Sequence, residues 1–305
     1  MTAPDHLAEA PTPGEAVGLT RGLRRIVAPN PSPMTFWGTN TYLLGDRGIA
    51  VIDPGPDRPE HLQAILAALT PGQRITHILV THAHLDHSPL ARPLARATGA
   101  PVLAYGDARA GRSAVMERLA AQGLAGGGEG VDAAFVPDLT LGDGAVLEGD
   151  GWRLEALHTP GHFGNHLCFA WGETLFTGDL VMGWASSLVS PPDGDLTDFM
   201  ASCDRLAGRD WAVLHPGHGA PVMAPRARID WLLAHRRSRE AQILAALAGA
   251  PGSAEDLAHR IYAQTPPALL PAAARNVFAH LVDLTGRRLA RPEGPLAAGA
   301  VFVAT

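Results

Sequence analysis

The stretch Thr81-His82-Ala83-His84-Leu85-Asp86-His87 decides how this chain reads. It places three imidazoles and a carboxylate within six positions, directly after the apolar run Ile75-Thr76-His77-Ile78-Leu79-Val80. That run reads as a buried strand, so the cluster falls in the loop at the strand's carboxyl end, where functional side chains concentrate. Imidazole and carboxylate are donors for zinc, iron or manganese, and packing alone gives no reason to gather them. The ordinary alternative is a solvated polar loop. Further donors follow at other strand ends: His162 in Thr159-Pro160-Gly161-His162, Asp179 in Thr177-Gly178-Asp179, and His218 in Pro216-Gly217-His218-Gly219. A Gly before each permits a tight turn and close backbone approach. One such histidine is more often structural than ligating; the ordered set, taken with the first cluster, argues for a metal centre. His158, His166 and His215 are candidates to orient those ligands or meet substrate, with ordinary packed histidines as the equal alternative. His77, inside the strand, reads as structural.

Around this centre the pattern alternates. Thr39–Leu44 and Ile49–Asp53 read as paired strands about the turn Gly45-Asp46-Arg47-Gly48. Helices are expected from Arg58 to Leu69, from Ser88 to Thr98 and from Ala108 to Leu124. Short strands follow at Ala145–Glu148, Trp152–His158, His166–Trp171 and Thr174–Thr177, then a helix at Asp198–Leu206 and a strand at Trp211–His215. Such halves suggest two packed sheets with helices outside. After Pro225 the pattern turns helical: Ala227–Leu247, a helix capped by Ser253 with Asp256 three residues on, and a third helix from about Pro271 to Leu289. Short apolar runs flanking Pro292-Glu293-Gly294-Pro295 read as a hairpin. Three helices and a hairpin are the plan of a winged helix; a plain helical cap is the alternative.

Composition bounds the rest. The chain has 305 residues, 46% hydrophobic and 18% charged, an ordinary globular balance. No apolar stretch approaches the roughly 20 residues that span a bilayer, so no membrane role is expected. Residues 1–18 are acidic and Pro-rich, without the basic and apolar regions of a signal peptide. Cys168 and Cys203 make no disulfide framework, and a reducing, cytoplasmic location is expected. Every basic residue other than histidine is Arg, which reads as genome composition rather than function. The tail from Arg226 carries ten Arg against six acids, whereas residues 1–225 carry fourteen against twenty-four. That asymmetry points to separate modules and weakly to a polyanion near the second, or simply to a basic helical surface.

The series His82-x-His84-x-Asp86-His87, His162, Asp179 and His218 resembles, position by position, the dinuclear pattern of the metallo-β-lactamase superfamily. The resemblance implies an α+β fold: a four-layer αβ/βα sandwich over residues 17–225, with a small winged-helix domain over 226–305. It implies two divalent ions, zinc first, with iron or manganese fitting the same thiolate-free donors. His82, His84 and His162 would hold one ion, Asp86, His87 and His218 the other, and Asp179 would bridge them. Two such ions less Asp86, Asp179 and a hydroxide leave a charge of about +1. The expected chemistry is hydrolysis by a metal-bound hydroxide, which Asp86 could additionally orient as a catalytic group.

Gly38-Thr39-Asn40-Thr41-Tyr42-Leu43-Leu44, Ile52-Asp53-Pro54-Gly55, Arg236-Arg237-Ser238-Arg239-Glu240, Ile261-Tyr262, Ala274-Arg275-Asn276-Val277 and His280-Leu281 are similar to the branch with a winged-helix tail. That branch includes mitochondrial β-lactamase-like endoribonucleases, and by this resemblance one expected substrate is single-stranded RNA. Pro89-Leu90 stand where many relatives have Gly-Gly, which puts transfer of substrate preference in doubt. A small-molecule acyl substrate is the competing expectation, as a thioester or ester hydrolase of the glyoxalase II or lactonase kind. True β-lactamase and iron dioxygenase activity are more distant. A nucleic-acid-binding regulatory protein with a vestigial sandwich would show damaged ligands, whereas all seven are intact.

Overall fold

A computed structural model describes residues 10–305; residues 1–9, half of the acidic Pro-rich start, lie outside the described residues. The first sheet has the order β1 (Val17–Thr20), β2 (Leu23–Val27), β3 (Asn40–Leu44), β4 (Gly48–Ile52), β5 (Arg74–Leu79), β6 (Val102–Ala104) and β7 (Leu139–Thr140). β1 to β4 are antiparallel neighbours, and β4 to β7 run parallel. Parallel neighbours need crossovers, which α1 (Pro59–Ala67) and α2 (Ala91–Thr98) supply. The second sheet contains β8 (Val146–Gly149), β9 (Trp152–His158), β10 (Leu167–Trp171), β11 (Thr174–Gly178) and β12 (Val213–Pro216), in the order β12-β11-β10-β9-β8.

Side-chain alternation along these strands builds four layers. Tyr42, Leu44, Ala50 and Ile52 of the first sheet pack against Leu154, Ala156, Phe169 and Phe176 of the second. Their neighbours Leu43, Ile49 and Val51 point the other way, to Ile65 of α1 and Leu94 of α2. Leu157, Cys168, Ala170 and Leu175 leave the second sheet's other face to meet Phe199, Cys203 and Leu206 of α4 (Leu196–Ala207). Both faces of the central strands are therefore buried, and β3 and β4 are buried at every position. This is the α+β sandwich with helices on both outer faces.

Two details depart from the sequence reading. β1 and β2 precede the first strand expected, because Arg24 and Arg25 break the apolar run that would have marked β2. The helix expected from Ala108 begins at Ala114, as α3 (Ala114–Ala121), with Ser113 capping it by accepting from the Met116 amide. Ahead of it Gly111, at φ +77°, lies so close to the Gly164 carbonyl that a Cβ would not fit, which fixes an irregular path.

The C-terminal part contains α5 (Pro225–Gly249), α6 (Ala254–Ile261), α7 (Leu270–Gly286) and a hairpin of β13 (Ala290–Pro292) with β14 (Phe302–Ala304). Ser253 and Asp256 form a reciprocal capping box at the start of α6. α5 joins two cores: Ile229, Leu232 and Leu233 pack with α4, while Ile243 and Leu247 pack with Leu257, Phe278 and Phe302. Among the described residues no helix is long and apolar enough to cross a membrane.

Candidate metal centre

The seven expected donors arrive from strand ends of both sheets at one point. His82, His84, Asp86 and His87 follow β5, Asp179 follows β11, and His218 follows β12. His162 comes from the β9–β10 connection, where Gly161 at φ +139° brings the chain against the backbone of Phe199. All seven are buried: His82 and His87 fully, the most exposed at 6%.

They form two groups, each with its donor atoms mutually within 4.8 Å: His82, His84 and His162; and Asp86, His87, Asp179 and His218. In the first, His84 Nδ1 lies 2.9 Å from His82 Nε2 and 3.1 Å from His162 Nε2. In the second, His87 Nε2 is 3.3 Å from His218 Nε2, and His218 Nε2 is 3.1 Å from Asp86 Oδ2. Donors around a tetrahedral zinc at 2.0–2.1 Å stand about 3.3 Å apart, so these spacings suit a first-row divalent ion. Asp179 Oδ2 is 3.2 Å from His218 Nε2 and 3.7 Å from His162 Nε2, which puts one carboxylate between the groups. Asp86 Oδ1 and Asp179 Oδ1 are buried with no hydrogen-bond partner among the described residues. Buried carboxylate oxygens require compensation, and a cation supplies it. Both clusters are therefore able to hold a metal ion.

The electrostatics agree. Burial disfavours a charged His218, yet Asp179 and Asp86 outweigh it and push its pKa up to about 10. His87 is likewise raised well above the ordinary imidazole value, its burial overcome by Asp86, Asp179 and Asp53. The site thus stabilises positive charge at the second group. Burial and the neighbouring imidazoles push His82 well below its ordinary value and His84 to about 3, which leaves their nitrogen lone pairs free as donors.

An outer layer fixes the rings. Thr81 Oγ1 donates to Asp53 Oδ2 at 2.8 Å, so it must accept from His82 Nδ1–H at 2.9 Å. His87 Nδ1–H donates to Asp53 Oδ2 at 2.9 Å, His162 Nδ1–H to the Leu188 carbonyl at 2.7 Å, and His218 Nδ1–H to the Gly38 carbonyl at 3.1 Å. With Nδ1 holding a proton in each ring, Nε2 is the nitrogen that faces the centre and would carry the lone pair for a bound ion. Asp53 also accepts from the Thr81 amide at 2.7 Å.

Of the three auxiliary histidines, only His166 sits against the centre. It is fully buried, and its Nε2 accepts from the Asp179 amide at 3.3 Å while Nδ1–H donates to Thr159 Oγ1 at 3.0 Å. His158 stacks on Tyr105 at 3.7 Å and contacts the Gly164 carbonyl. His215 packs between Tyr42 and Phe176. Neither reaches the cavity over the centre. Asp53 is the contributor the sequence reading left without a role. The rule that selected the loop after β5 applies equally to the end of β4, its parallel neighbour, where Asp53 stands.

A cavity of ≈ 350 Å³ opens over the clusters. Its floor is His84, Asp86, His162, Asp179 and His218; its walls include Met34, Trp184, Leu188, Tyr262 and Leu269. The C-terminal helices hold one wall. Arg236 of α5 donates to the carbonyls of Ser186 and Ser187 at 2.7 and 2.5 Å and to Asn276 Oδ1 at 2.9 Å. The same Asn276 oxygen accepts from the Val189 amide at 3.1 Å. The segment that carries the Leu188 carbonyl, and with it the orientation of His162, is therefore pinned by α5 and α7.

Residues 34–218 match the metallo-beta-lactamase superfamily, and residues 253–295 match the beta-lactamase associated winged helix domain. A beta-lactamase-like protein 2 homolog of Drosophila melanogaster is 31% identical over 87% of this chain and 88% of its own length. An atrochrysone carboxyl ACP thioesterase of a Cryptosporiopsis species is 30% identical over 73% of this chain and 62% of its own. Among solved structures, a metallo-beta-lactamase family protein from Thermus thermophilus is 27% identical, with TM-score 0.75 over 94% of this chain and all of its own. A beta-lactamase domain protein from Burkholderia ambifaria superposes with TM-score 0.79 over 99% of this chain and 97% of its own at 20% identity, a likeness of fold. With the sandwich, the two buried donor groups and these matches in agreement, the chain belongs to the metallo-beta-lactamase superfamily and is one of its metal-dependent hydrolases.

Proposed function

We propose that the protein hydrolyses acyl thioesters or esters of small molecules at a dinuclear centre. His82, His84 and His162 would hold one ion, and Asp86, His87 and His218 the other, with Asp179 shared. Zinc is the preferred metal, since five of the seven candidate donors are imidazoles and only two are carboxylates, a set that iron also fits. When bound, the pair supplies Lewis acidity and a nucleophilic water at neutral pH.

The chain's own residues account for the rest. Asp86 directs Oδ2 at His218 and His87, while its unpartnered Oδ1 would orient the attacking water by accepting a hydrogen bond from it. The observation that carries the acyl reading is the cavity: ≈ 350 Å³, mostly apolar, and walled by Met34, Trp184, Leu188 and Leu269 directly over the donors. An apolar acyl group fits such a space, whereas a polynucleotide needs a continuous basic groove with stacking platforms. The thioesterase relative supports the same class. Buried free thiols at Cys168 and Cys203 accord with a cytoplasmic setting, which forms part of the proposal.

Single-stranded RNA is the second reading, favoured by the winged-helix match and the basic residues of α5. One preparation of known metal content, assayed on a series of acyl thioesters and on labelled single-stranded RNA, decides between them. Thioester turnover without RNA cleavage is expected. RNA cleavage with inert thioesters would reverse the assignment.

A further inference from the structure

Helix α5 carries two populations of arginine. On its outward side Arg226 pairs with Asp230 and Arg237 with Asp204. Arg228, Arg236 and Arg239, spaced along one helical face, meet no carboxylate among the described residues. Arg228 spends its donors on the carbonyls of Met182 and Ala185, and Arg236 on those of Ser186 and Ser187. These acceptors satisfy hydrogen bonds and leave the charge uncompensated. Arg239 is freer: it gives Nη1 to Gln242 Oε1 at 2.8 Å, and its guanidinium lies 4.4 Å over the Tyr262 ring. Its place over Tyr262 holds the guanidinium at the cavity wall, and the donors not given to Gln242 remain available, an arrangement suited to a planar anion.

Arg236, Arg239 and His235 all line the cavity, at the wall built by the C-terminal helices, with Thr265 beside them. The cavity's acid outside the metal clusters, Glu129, accepts from Ser32 Oγ at 2.6 Å. The positive field on the α5 wall registers on its histidine. Burial, and then Arg236, Arg239 and Arg228, push His235 down to about 4, so it stands neutral at pH 7 as a hydrogen-bonding partner.

We propose that this wall is an anion subsite, in which Arg239, flanked by His235 and Thr265, receives a carboxylate or phosphate of the substrate while the scissile acyl group lies over the metal clusters. The inference rests on the acyl-hydrolase reading and narrows it: the substrate is an amphipathic acyl compound with an apolar middle and an anionic end. Carboxylate on the acyl side and phosphate on the leaving thiol share this chemistry.

Two matched pairs separate those sources. One compares butanoyl with glutaryl thioesters of the same thiol; the other compares butanoyl-pantetheine with its 4′-phosphorylated form. The wild type should prefer the anionic member of one pair. In Arg239→Gln that member should lose about 10- to 100-fold in kcat/KM, mainly through KM, as for a hydrogen bond to a charged group. The neutral member should stay within about twofold, and the melting temperature should not move, because Arg239 is only half-buried. Arg239→Lys, which keeps the charge without the planar fork, should lose less than Arg239→Gln. Equal effects on both members of each pair would overturn the subsite.

If the wild type hydrolyses no thioester, the acyl reading fails, and the subsite is then judged by calorimetric titration with phenyl phosphate. Binding weakened at least about 10-fold by Arg239→Gln would sustain it. Equal affinity in wild type and variant would overturn it.

Discussion

Replacing Asp53 by Asn tests whether the outer layer governs metal binding. The backbone at Asp53 has φ +51°, a left-handed conformation that Asn tolerates as well as Asp, whereas Ala would add strain of its own. The carboxylate accepts three hydrogen bonds, from the Thr81 amide, Thr81 Oγ1 and His87 Nδ1, at 2.7, 2.8 and 2.9 Å. An Asn oxygen can keep the amide, but its NH₂ group then faces Thr81 Oγ1 and His87 Nδ1. The threonine hydroxyl can rotate to accept. His87 cannot adapt without moving its proton to Nε2, which would block the lone pair that faces the second donor group. Loss of such an outer partner lowers metal affinity by about 10- to 100-fold, or about 1.4 to 2.8 kcal/mol. The loss should fall on the group of Asp86, His87, Asp179 and His218, and the first group should be disturbed far less. Competition against a chromophoric chelator should resolve two binding steps, with only one weakened in Asp53→Asn. Unchanged affinity in a folded variant, or equal loss at both steps, would refute this account.

Asp179→Ala removes the one carboxylate placed between the two groups, so both metal steps should weaken together. Activity should fall by more than about 100-fold, beyond the effect of an outer partner; elemental analysis showing two retained ions would contradict it. His280, 2% exposed on α7, has both ring nitrogens buried without a partner among the described residues. Burial first, then Arg236, His235, Arg287 and Arg239, push its pKa down to about 3. Above pH 6.5 it is neutral in both folded and unfolded chains and contributes no pH dependence. As pH falls below 6.5 the unfolded chain gains the proton and the folded chain does not, so stability drops by about 1.4 kcal/mol per pH unit until the folded value is reached. His280→Leu should therefore gain about 2 kcal/mol relative to wild type between pH 7.5 and pH 5, measured by urea unfolding at each pH. A wild-type pH slope preserved in the variant would show that His280 is not the source.

The fold and the clustering of the candidate donors were legible because both are written in short-range patterns. The pairing of β3 with β4 was marked by two strand-forming runs on either side of the turn Gly45-Asp46-Arg47-Gly48. Six of the seven candidate donors follow strands with parallel neighbours, β5, β11 and β12, and loops there can point side chains into a shared cleft. The expected bounds of α5 and α7 lay within a few residues of those found, and the Ser253–Asp256 box marked the start of α6. What could not be read was long-range. The helix expected from Ala108 is overruled by the contact of Gly111 with Gly164, 53 residues on. His158, His166 and His215 are alike as sequence, since each is a histidine at the end of an apolar run. Only the packing of β9 against β10 and of β11 against β12 sends one toward Asp179 and the others away.

The partners of the candidate ligands are harder still to read, because two of the four are backbone carbonyls, which carry no residue signature. The Leu188 and Gly38 carbonyls orient His162 and His218, yet no side chain at either position announces that role. Leu188 is in place because Arg236 and Asn276 hold the adjoining segment from α5 and α7, 48 and 88 residues further along the chain. A winged-helix part that looks like a separate module is thus also a wall of the cavity and a support for a donor of the other domain. The division into catalytic and accessory segments follows sequence continuity, while the chemistry follows the contacts. Substrate choice in this chain is accordingly expected to lie as much in α5 and α7 as in the loop after β5.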